Sequence, residues 1–246
     1  MQTDPPRAAM AEPIPPHLTI ASEGARPPYN YFDGDKLAGF EIDLAADLCK
    51  RMAVTCSFVA QNWDSIVPGL IAHHYDAIMA AMEIPDEGKA KIAFTNPYVR
   101  MPSAFMVKNS SGLTSDGPEA LAGKQIGVEK SGTHETFLLD NYPGSTVRRY
   151  ASLSDAILDL EAERVDAVIG DKDAITVFLK TRRDARCCHI LADVPRDPAV
   201  FGVGIGVGLR KEDTALKASF DKALASSMAD GTFATIRAKY FDFPIN

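Results

Sequence analysis

Apolar and polar residues alternate with helical and with strand periodicity along this chain, and one succession of a helix pattern and a strand pattern occurs twice. Residues 63–80 and 153–170 lie ninety positions apart. Each stretch reads as a polar start, an amphipathic helix, a short polar turn and a buried strand that opens with Asp-Ala. The repeat predicts two similar α/β lobes. Because ligands bind outside the carboxyl ends of strands in open α/β sheets, positions 80–81 and 170–171 are candidate functional positions.

The same patterns predict the remaining elements. Apolar residues at four-residue spacing (Phe40, Leu44, Leu48 and Met52) indicate a helix packed on a sheet. Other helices are expected at 64–72, 154–163, 173–180, 214–229 and 232–240, with another opening at 131–133; strands are expected at 17–21, 55–60, 75–80, 125–128, 146–150 and 165–169. A strand in which glycine alternates with apolar residues is predicted over 201–209. The alternation of strands and helices predicts parallel sheets with helical crossovers.

Composition and charge narrow the function classes. The chain has 246 residues, of which 46% are hydrophobic, enough for one or two domains with real cores. Its net charge of −7 argues against a nucleic-acid partner, since phosphate binding needs a clustered basic face. No apolar run approaches the roughly 20 residues needed to cross a membrane. The glycines of 201–209 do not form a dinucleotide-binding motif, because no helix opens directly behind them.

The four cysteines form two close pairs. Cys49 and Cys56 bracket a predicted helix-strand junction, a geometry compatible with a disulfide or with two buried thiols. Cys187 and Cys188 are adjacent, and we expect them to be reduced and half-buried. Neither pair has the spacing of metal ligands, and the five histidines form no zinc-like pattern, so no metal or cofactor is predicted. Residues 1–16 are rich in Pro and Ala and lack the apolar core of a signal peptide; we interpret them as the disordered leader of a mature or recombinant chain.

Several longer motifs are similar to those of one protein family. They are Gly39-Phe40-Glu41-Ile42-Asp43-Leu44, Tyr75-Asp76-Ala77-Ile78, Ile92-Ala93-Phe94-Thr95-Asn96-Pro97-Tyr98, Val207-Gly208-Leu209-Arg210-Lys211-Glu212-Asp213 and Asp230-Gly231-Thr232. In order and spacing the chain resembles the family-3 extracellular solute-binding proteins, the periplasmic receptors of polar amino-acid ABC transporters, from about residue 18 to 243. The lysine/arginine/ornithine- and opine-binding branches also have paired cysteines. The resemblance therefore implies a Cys49–Cys56 disulfide and a periplasmic location.

This resemblance implies an architecture and partners. The fold would be the α/β periplasmic binding protein-like type II fold, with two α/β lobes joined by a two-strand hinge. Lobe 1 would comprise residues 17–100 and 204–246, and lobe 2 residues 104–198. A small-molecule ligand would bind between the lobes and favour their closed form. The protein would be a monomer without catalytic activity that delivers its ligand to an ABC transporter membrane permease.

The resemblance also assigns ligand-binding positions in lobe 1. Glu23 lies where basic amino-acid receptors accept a cationic side chain, and Arg26 lies where the family usually has an aromatic residue. Trp63 matches an aromatic platform on which a flat or cationic ligand would stack. Ala81 lies in the ligand-binding strand end, and Glu83 lies where a serine usually binds the α-amino group. Trp63 could instead be part of the core, and Arg26 could point to water.

Lobe 2 supplies four further positions. Asp171 matches the carboxylate that binds the α-ammonium group, although it could instead cap the following helix. Thr133 is expected both to cap its helix and to face the ligand, at a helix start that can hold an anion. His134 and Glu129 are also assigned to the site. His134 could instead be solvated, and Glu129 could pair with Lys130.

One departure from the family determines the expected ligand. The arginine that clamps the α-carboxylate falls at Gly88, and Lys89 or Arg26 would have to replace it. We therefore expect a small polar, cationic, amine-containing solute. An ordinary basic amino-acid or opine receptor with a repositioned clamp is the alternative. A cyclohexadienyl or arogenate dehydratase-like enzyme is an alternative of another class, and a receptor that signals to a membrane partner is a third.

Overall fold

The computed structural model describes residues 14–85, 90–182 and 186–246, so the predictions for Gly88 and Lys89 and most of the predicted leader lie outside the described residues. Contacts divide the chain into two compact units. Unit 1 contains the described residues up to Val99, together with Ile205–Pro244 and Asn246. Unit 2 contains Arg100–Gly204 and Ile245.

Helices and strands alternate through both units. In unit 1 the chain forms β1 (His17–Ser22), β2 (Ala25–Arg26), β3 (Asn30–Asp33), β4 (Lys36–Ala38), α1 (Phe40–Arg51), β5 (Thr55–Ala60), α2 (Trp63–Ile71), β6 (Ala77–Ile78) and β7 (Ala93–Phe94). Unit 2 follows with β8 (Ser103–Lys108), β9 (Gln125–Glu129), α3 (Thr133–Asn141), β10 (Thr146–Tyr150), α4 (Leu153–Glu161), β11 (Ala167–Asp171), α5 (Lys172–Thr181), β12 (Cys188–Asp193) and α6 (Pro198–Phe201). The chain then completes unit 1 with β13 (Gly208–Leu209), α7 (Thr214–Ala229) and α8 (Thr232–Arg237).

Each unit is built on a five-stranded sheet. The strand order is β5-β1-β6-β13-β7 in unit 1 and β10-β9-β11-β8-β12 in unit 2. Three neighbouring strands are parallel in each sheet: β5, β1 and β6 in unit 1, and β10, β9 and β11 in unit 2. The next strand in each, β13 or β8, is antiparallel. The carboxyl ends of the three parallel strands therefore share one edge in each unit.

The predicted internal repeat is confirmed by matching contacts. Helices α2 and α4 each have nine residues. In unit 1 the backbone N–H of Thr19 donates to the Asp76 carboxylate at 2.8 Å, and in unit 2 Gln125 N–H donates to Asp166 at the same distance. The backbone N–H of each aspartate also donates to the carbonyl oxygen of the same strand residue. Asp76 and Asp166, ninety positions apart, therefore fix the same pair of parallel strands in each unit.

Apolar packing holds the elements in place. Phe40, Leu44 and Leu48 of α1 are fully buried, as the four-residue spacing predicts. In unit 2, Met106 and Val168 pack on one face of the sheet, in a cluster distinct from the apolar cluster on the other face. Central strands covered on both faces explain why their sequences read as continuous apolar runs.

Two strand predictions are wrong in extent. The strand predicted at 75–80 is reduced to Ala77–Ile78. The strand predicted over 201–209 is only β13, and α6 overlaps its start, because Asp197 caps a helix that has Pro198 in its first turn. Gly202, with φ 70°, then breaks the extended backbone. The expected close approach is confirmed at Gly208, where a Cβ atom would lie 2.9 Å from Ile92 Cδ1.

The disulfides confirm one cysteine prediction and correct another. Cys49 and Cys56 are bonded, with their Cα atoms 6.2 Å apart. Cys187 and Cys188 were expected to be reduced, but they are also bonded to each other. Side chains of neighbouring strand residues point to opposite faces. Cys187, however, lies in the turn before β12, which frees its side chain from that alternation. None of the helices in the described ranges is long and apolar enough to span a membrane.

Candidate functional site

In unit 1, the predicted residues follow the carboxyl ends of neighbouring parallel strands. Glu23 comes directly after β1, Trp63 begins α2 after β5, and Ala81 follows β6. These strands are adjacent in the order β5-β1-β6, so the three residues lie along one sheet edge. Arg26 is exposed in β2, and Glu83 is an exposed residue whose backbone bridges to Ile205. The sheet thus brings residues that are far apart in sequence to a common edge.

The indole of Trp63 is presented to solvent. Trp63 is 43% exposed, which is unlike a core residue. It lies in the first turn of α2, after Asn62, and the expected cap from Asp64 does not form: no side chain caps this helix. Asp64 lies within the first turn, where its charge still favours the helix dipole. Trp63 is therefore available as a stacking surface at the edge of unit 1.

The acidic side chains of the unit 1 edge are not neutralised by the neighbours that the structure describes. Within residues 14–85, 90–182 and 186–246, neither Glu23 nor Glu83 forms an ion pair or a side-chain hydrogen bond. The charge of Arg26 instead acts on the buried carboxyl group of Glu41. This edge therefore carries two carboxylates without an ion-pair partner among the described residues.

The buried carboxylate of Glu41 binds the backbone N–H of Ala81. Ala81 has φ 51°, a left-handed conformation that is costly for a residue with a Cβ atom. Its N–H donates to both oxygens of Glu41, at 2.7 and 3.0 Å. The Tyr98 hydroxyl also donates to this carboxylate, and Asn30 Nδ2 donates to it at 2.7 Å. Burial raises the pKa of Glu41, and the donated hydrogen bonds act in the opposite direction.

In unit 2, the predicted residues again gather at a single sheet edge. Glu129 ends β9, and the chain then turns into α3, which begins at Thr133. Asp171 ends the neighbouring strand β11 and is the N-cap residue of α5. Asp171 pairs in register with Ser103 at the start of the antiparallel strand β8. The edge thus carries the starts of α3 and α5 and two carboxylates.

The start of α3 differs from the prediction for Thr133. Gly132 is the N-cap residue and Thr133 is already the first helical residue, so the threonine does not cap its own helix, and no side-chain cap forms there. Glu135 reaches back to accept the N–H of Ser131 at 2.7 Å. That hydrogen bond, followed by the contact with Arg149, lowers the pKa of Glu135. The uncapped first turn of α3 has backbone donors suited to an anion.

His134 is a buried, neutral group rather than a solvated one. Its side chain is only 15% exposed, with Nε2 2.8 Å from Ser103 Oγ and 3.7 Å from Asp171 Oδ1. Its ring also contacts Phe201 of α6, with centroids 5.4 Å apart. Burial lowers the pKa of His134 to about 4, and the nearby charge of Glu129 only partly offsets this effect. At neutral pH, His134 is therefore an uncharged neighbour of Asp171 whose hydrogen-bond partner is Ser103.

Glu129 has a structural role that was not predicted. Its carboxylate accepts the backbone N–H of Leu153 at 3.3 Å, at the start of α4. The considered pairing of Glu129 with Lys130 is not among the ion pairs of the described residues. Glu129 is still exposed, so its second oxygen remains accessible.

Sequence reasoning missed four side chains that support the two edges: Asn30, Glu41, Tyr98 and Ser103. Glu41, Tyr98 and Asn30 are fully buried, and Ser103 nearly so. A signal for Glu41 existed, because Glu41, Ala45 and Cys49 are spaced by four residues and are all buried in α1. Glutamate is almost never buried without partners, so its residue type alone does not predict this burial. Across the described ranges, no three His, Cys, Asp or Glu side chains are grouped so as to hold a metal ion.

The fold and its two polar sheet edges define a two-unit α/β solute receptor. The sequence profile of the bacterial extracellular solute-binding proteins, family 3, matches residues 18–243, which is nearly the whole chain. The chain belongs to this family, and its fold is the periplasmic binding protein-like type II fold. It is therefore a solute-binding protein and not an enzyme, so the dehydratase-like alternative is dismissed.

Individual relatives agree over nearly their full length. The chain is 36% identical over 225 residues to the putative ABC transporter arginine-binding protein 2 of Escherichia coli K12, covering 91% of this chain and 90% of the relative. It is 34% identical over 235 residues to the histidine-binding periplasmic protein of the same strain, covering 94% and 90%. Among solved structures, an ancestral arginine-binding protein bound to arginine has a TM-score of 0.57 at 30% identity, covering 92% of this chain and 99% of that one. The unliganded L-cystine receptor of Neisseria gonorrhoeae reaches a TM-score of 0.80 at 23% identity, covering 93% and 94%, which shows likeness of fold.

Proposed function

We propose that this chain captures a small, cationic, amine-containing solute in the periplasm and passes it to the membrane permease of an ABC importer. The observation that carries the proposal is the excess of carboxylates at the two sheet edges. Glu23 and Glu83 lie at the edge of unit 1, and Glu129 and Asp171 lie at the edge of unit 2. The names of the relatives, which are arginine- and histidine-binding proteins, support both the transport role and a nitrogen-rich ligand.

The energetics favour a positive solute. A hydrogen bond to a charged group contributes roughly 1.5–3 kcal/mol, and leaving a buried charge without a partner costs at least as much. Glu23 and Glu83 have no ion-pair partner among the described residues, so a solute cation can satisfy them without displacing an internal partner. A solute anion placed beside them would instead be repelled.

Two chemical forms of the solute share this cationic group. A basic amino acid would place its ammonium group at Asp171 and its carboxylate at the uncapped first turn of α3. A decarboxylated amine would need only the acidic groups, as the glycine at position 88 suggests. Trp63 would stack on the cation or on a planar group in either case.

Isothermal titration calorimetry can test the proposal with matched pairs of solutes. The amino acids are L-arginine, L-lysine, L-ornithine and L-histidine, and their decarboxylated counterparts are agmatine, cadaverine, putrescine and histamine. L-Citrulline, which has the shape of arginine without its side-chain charge, and L-glutamate are the controls. We expect at least one cation to bind about 100-fold more tightly than either control, the equivalent of one or two ionic hydrogen bonds.

The outcomes separate the candidates. Binding of L-citrulline or L-glutamate as tight as that of every cation would contradict the proposal. Binding of an amino acid but not of its decarboxylated counterpart would establish a basic amino-acid receptor with a repositioned carboxylate clamp. The reverse preference would establish an amine receptor.

A further inference from the structure

Glu41 accepts hydrogen bonds from three separate parts of unit 1. It lies in the first turn of α1 and is fully buried. Its oxygens accept from the backbone N–H of Ala81, from Asn30 Nδ2 and from the Tyr98 hydroxyl. A carboxylate without solvent needs such donors to remain stable. One buried side chain therefore joins segments that are up to 57 residues away in sequence.

Asn30 extends this network to a second solute-facing segment. While its Nδ2 donates to Glu41, its Oδ1 accepts the backbone N–H of Gly24 at 2.8 Å. Gly24 is the neighbour of Glu23, and Ala81 lies two residues before Glu83. The chain of hydrogen bonds thus reaches both backbone segments that carry the acidic side chains of the unit 1 edge.

Two of these hydrogen bonds require accepting oxygens at position 41. The Ala81 N–H and Asn30 Nδ2 can only donate toward it, whereas the Tyr98 hydroxyl, which donates here, can also accept. An amide of the same shape has one accepting oxygen, and its NH2 group would face donors. Asn30 cannot turn over to compensate, because its oxygen is already bound by Gly24. The network therefore discriminates between glutamate and glutamine.

We propose that Glu41 is a positioning residue that fixes both acidic segments of unit 1, acting directly on Ala81 and through Asn30 on Gly24, without contacting the solute. The inference rests on the proposed function insofar as Glu23 and Glu83 are solute ligands. It adds that solute affinity depends on a carboxylate that is itself fully enclosed by protein. A residue needed only for core stability would not order these two amides selectively.

The test uses Glu41→Gln and a variant designed to restore the network. In Glu41→Gln/Asn30→Asp, the amide NH2 introduced at position 41 donates to the carboxylate introduced at position 30, whose other oxygen still accepts from Gly24. The amide oxygen at position 41 still accepts from Ala81. The hydrogen bond between positions 30 and 41 is thereby reversed in direction, and the negative charge moves from position 41 to position 30. Leu224→Ala, at a buried position of α7, is the control for general loss of stability.

The first readout is amide hydrogen exchange at Gly24 and Ala81, measured by NMR without any solute. We expect Glu41→Gln to accelerate exchange at both amides by about ten-fold or more, the loss of one hydrogen bond to a charged group. The double variant should return both amides to within about three-fold of wild type. Leu224→Ala should leave the ratio of these two amides to the rest of unit 1 unchanged.

The second readout is affinity for L-arginine, followed by calorimetry. We expect a loss of about ten-fold or more in Glu41→Gln, restoration in the double variant and no change in Leu224→Ala. If wild type does not bind L-arginine, the cation of the calorimetric set that binds most tightly takes its place; if no cation of the set binds, that result counts against the proposed function, and amide exchange alone decides the positioning role. Unchanged exchange at both amides in Glu41→Gln, or a double variant no better than the single one, would overturn the inference.

Asn30→Ala provides an independent arm if Glu41→Gln does not fold. It removes the link to Gly24 and keeps the bond between Ala81 and Glu41. Exchange should accelerate at Gly24 and not at Ala81. Equal acceleration at both amides would show that the network does not act through the proposed contacts.

Discussion

Ala81 and Asp171 occupy matching places in the internal repeat, yet the two units use these places in opposite ways. Ala81 follows β6 and Asp171 ends β11, the central strands of the two sheets, and the two residues are ninety positions apart. In unit 1 the carboxylate is the buried side chain of Glu41, which accepts the backbone N–H of Ala81. In unit 2 the charge stands at the surface, where Asp171 lies beside the neutral His134.

The difference shows that a shared scaffold does not dictate how a site is supported. Asp76 and Asp166 make the same hydrogen bonds in the two units, so the strand positions are equivalent. Beyond the strand ends, unit 1 orders its main chain through a remote carboxylate. Unit 2 relies on local contacts among neighbouring side chains. The following predictions test this contrast.

The largest effect is expected from acidification, through unit 2. Burial lowers the pKa of His134 to about 4 from its ordinary 6.5, so the folded state binds fewer protons than the unfolded state between these values. The contribution of neutral His134 to the free energy of unfolding is therefore complete above pH 6.5. It decreases by about 3 kcal/mol as the pH falls from 6.5 through 4. Glu41 in unit 1 acts with the opposite sign, because its raised pKa weakens its contribution as the pH rises.

Urea unfolding at pH 7.5 and pH 4 measures this difference. The free energy of unfolding should fall less steeply in His134→Gln than in wild type, while His17→Gln, which alters an exposed histidine, should behave like wild type. Equal pH dependence in wild type and His134→Gln would show that His134 is not held in its neutral form.

The disulfides should contribute unequally. Cys49–Cys56 in unit 1 closes a loop across seven positions, which corresponds to about 2.5 kcal/mol of stability in the chain-entropy description. Cys187–Cys188 joins neighbours and closes almost no loop, so replacing both residues with serine should cost far less than replacing Cys49 and Cys56. Urea unfolding of the two double variants checks the ranking, and thiol counting on denatured, unreduced wild type should find no free thiol.

The charge of Asp171 should matter more for affinity than for stability. Asp171→Asn keeps the shape and removes the negative charge, so affinity for the cation that binds in calorimetry should fall about 10- to 100-fold. The matched control is Asp140→Asn, which removes an exposed charge from α3. An equal loss in both variants would indicate a general electrostatic effect instead of a direct contact.

The smallest effect is expected at Trp63. Replacing its 43%-exposed ring with alanine removes little packing, so the free energy of unfolding should change by less than about 1 kcal/mol. Affinity for a cationic solute should fall about 3- to 10-fold, in line with a partly exposed cation–π contact. Unchanged affinity would assign Trp63 to the structure of the edge alone.

Much of the fold could be predicted because its signals are local and periodic. β5, β10 and α7 were predicted with the bounds observed, since each has an unbroken pattern between turn residues. The short strands β2, β3 and β4 were missed. Two prolines and a turn around Gly34 dominate that stretch, and strands of two to four residues show no measurable alternation.

The supporting residues of the site could not be predicted for a different reason. Glu41 is charged in sequence and buried in structure, and only the distant donors Asn30 and Tyr98 make that burial tolerable. Likewise, the neutral state of His134 depends on Phe201 and Ser103, which lie 67 and 31 residues away in sequence. Such partners become visible only when the chain is folded.

The paired clamps at Asp76 and Asp166 have a consequence for how such a chain can diversify. Each aspartate joins two strands at the end opposite the polar sheet edge, within its own copy of the internal repeat. Selection can therefore hold these positions constant while it explores new side chains at the other end of the same strands. Such proteins can change the ligand they bind while the residues that fix the strands stay the same.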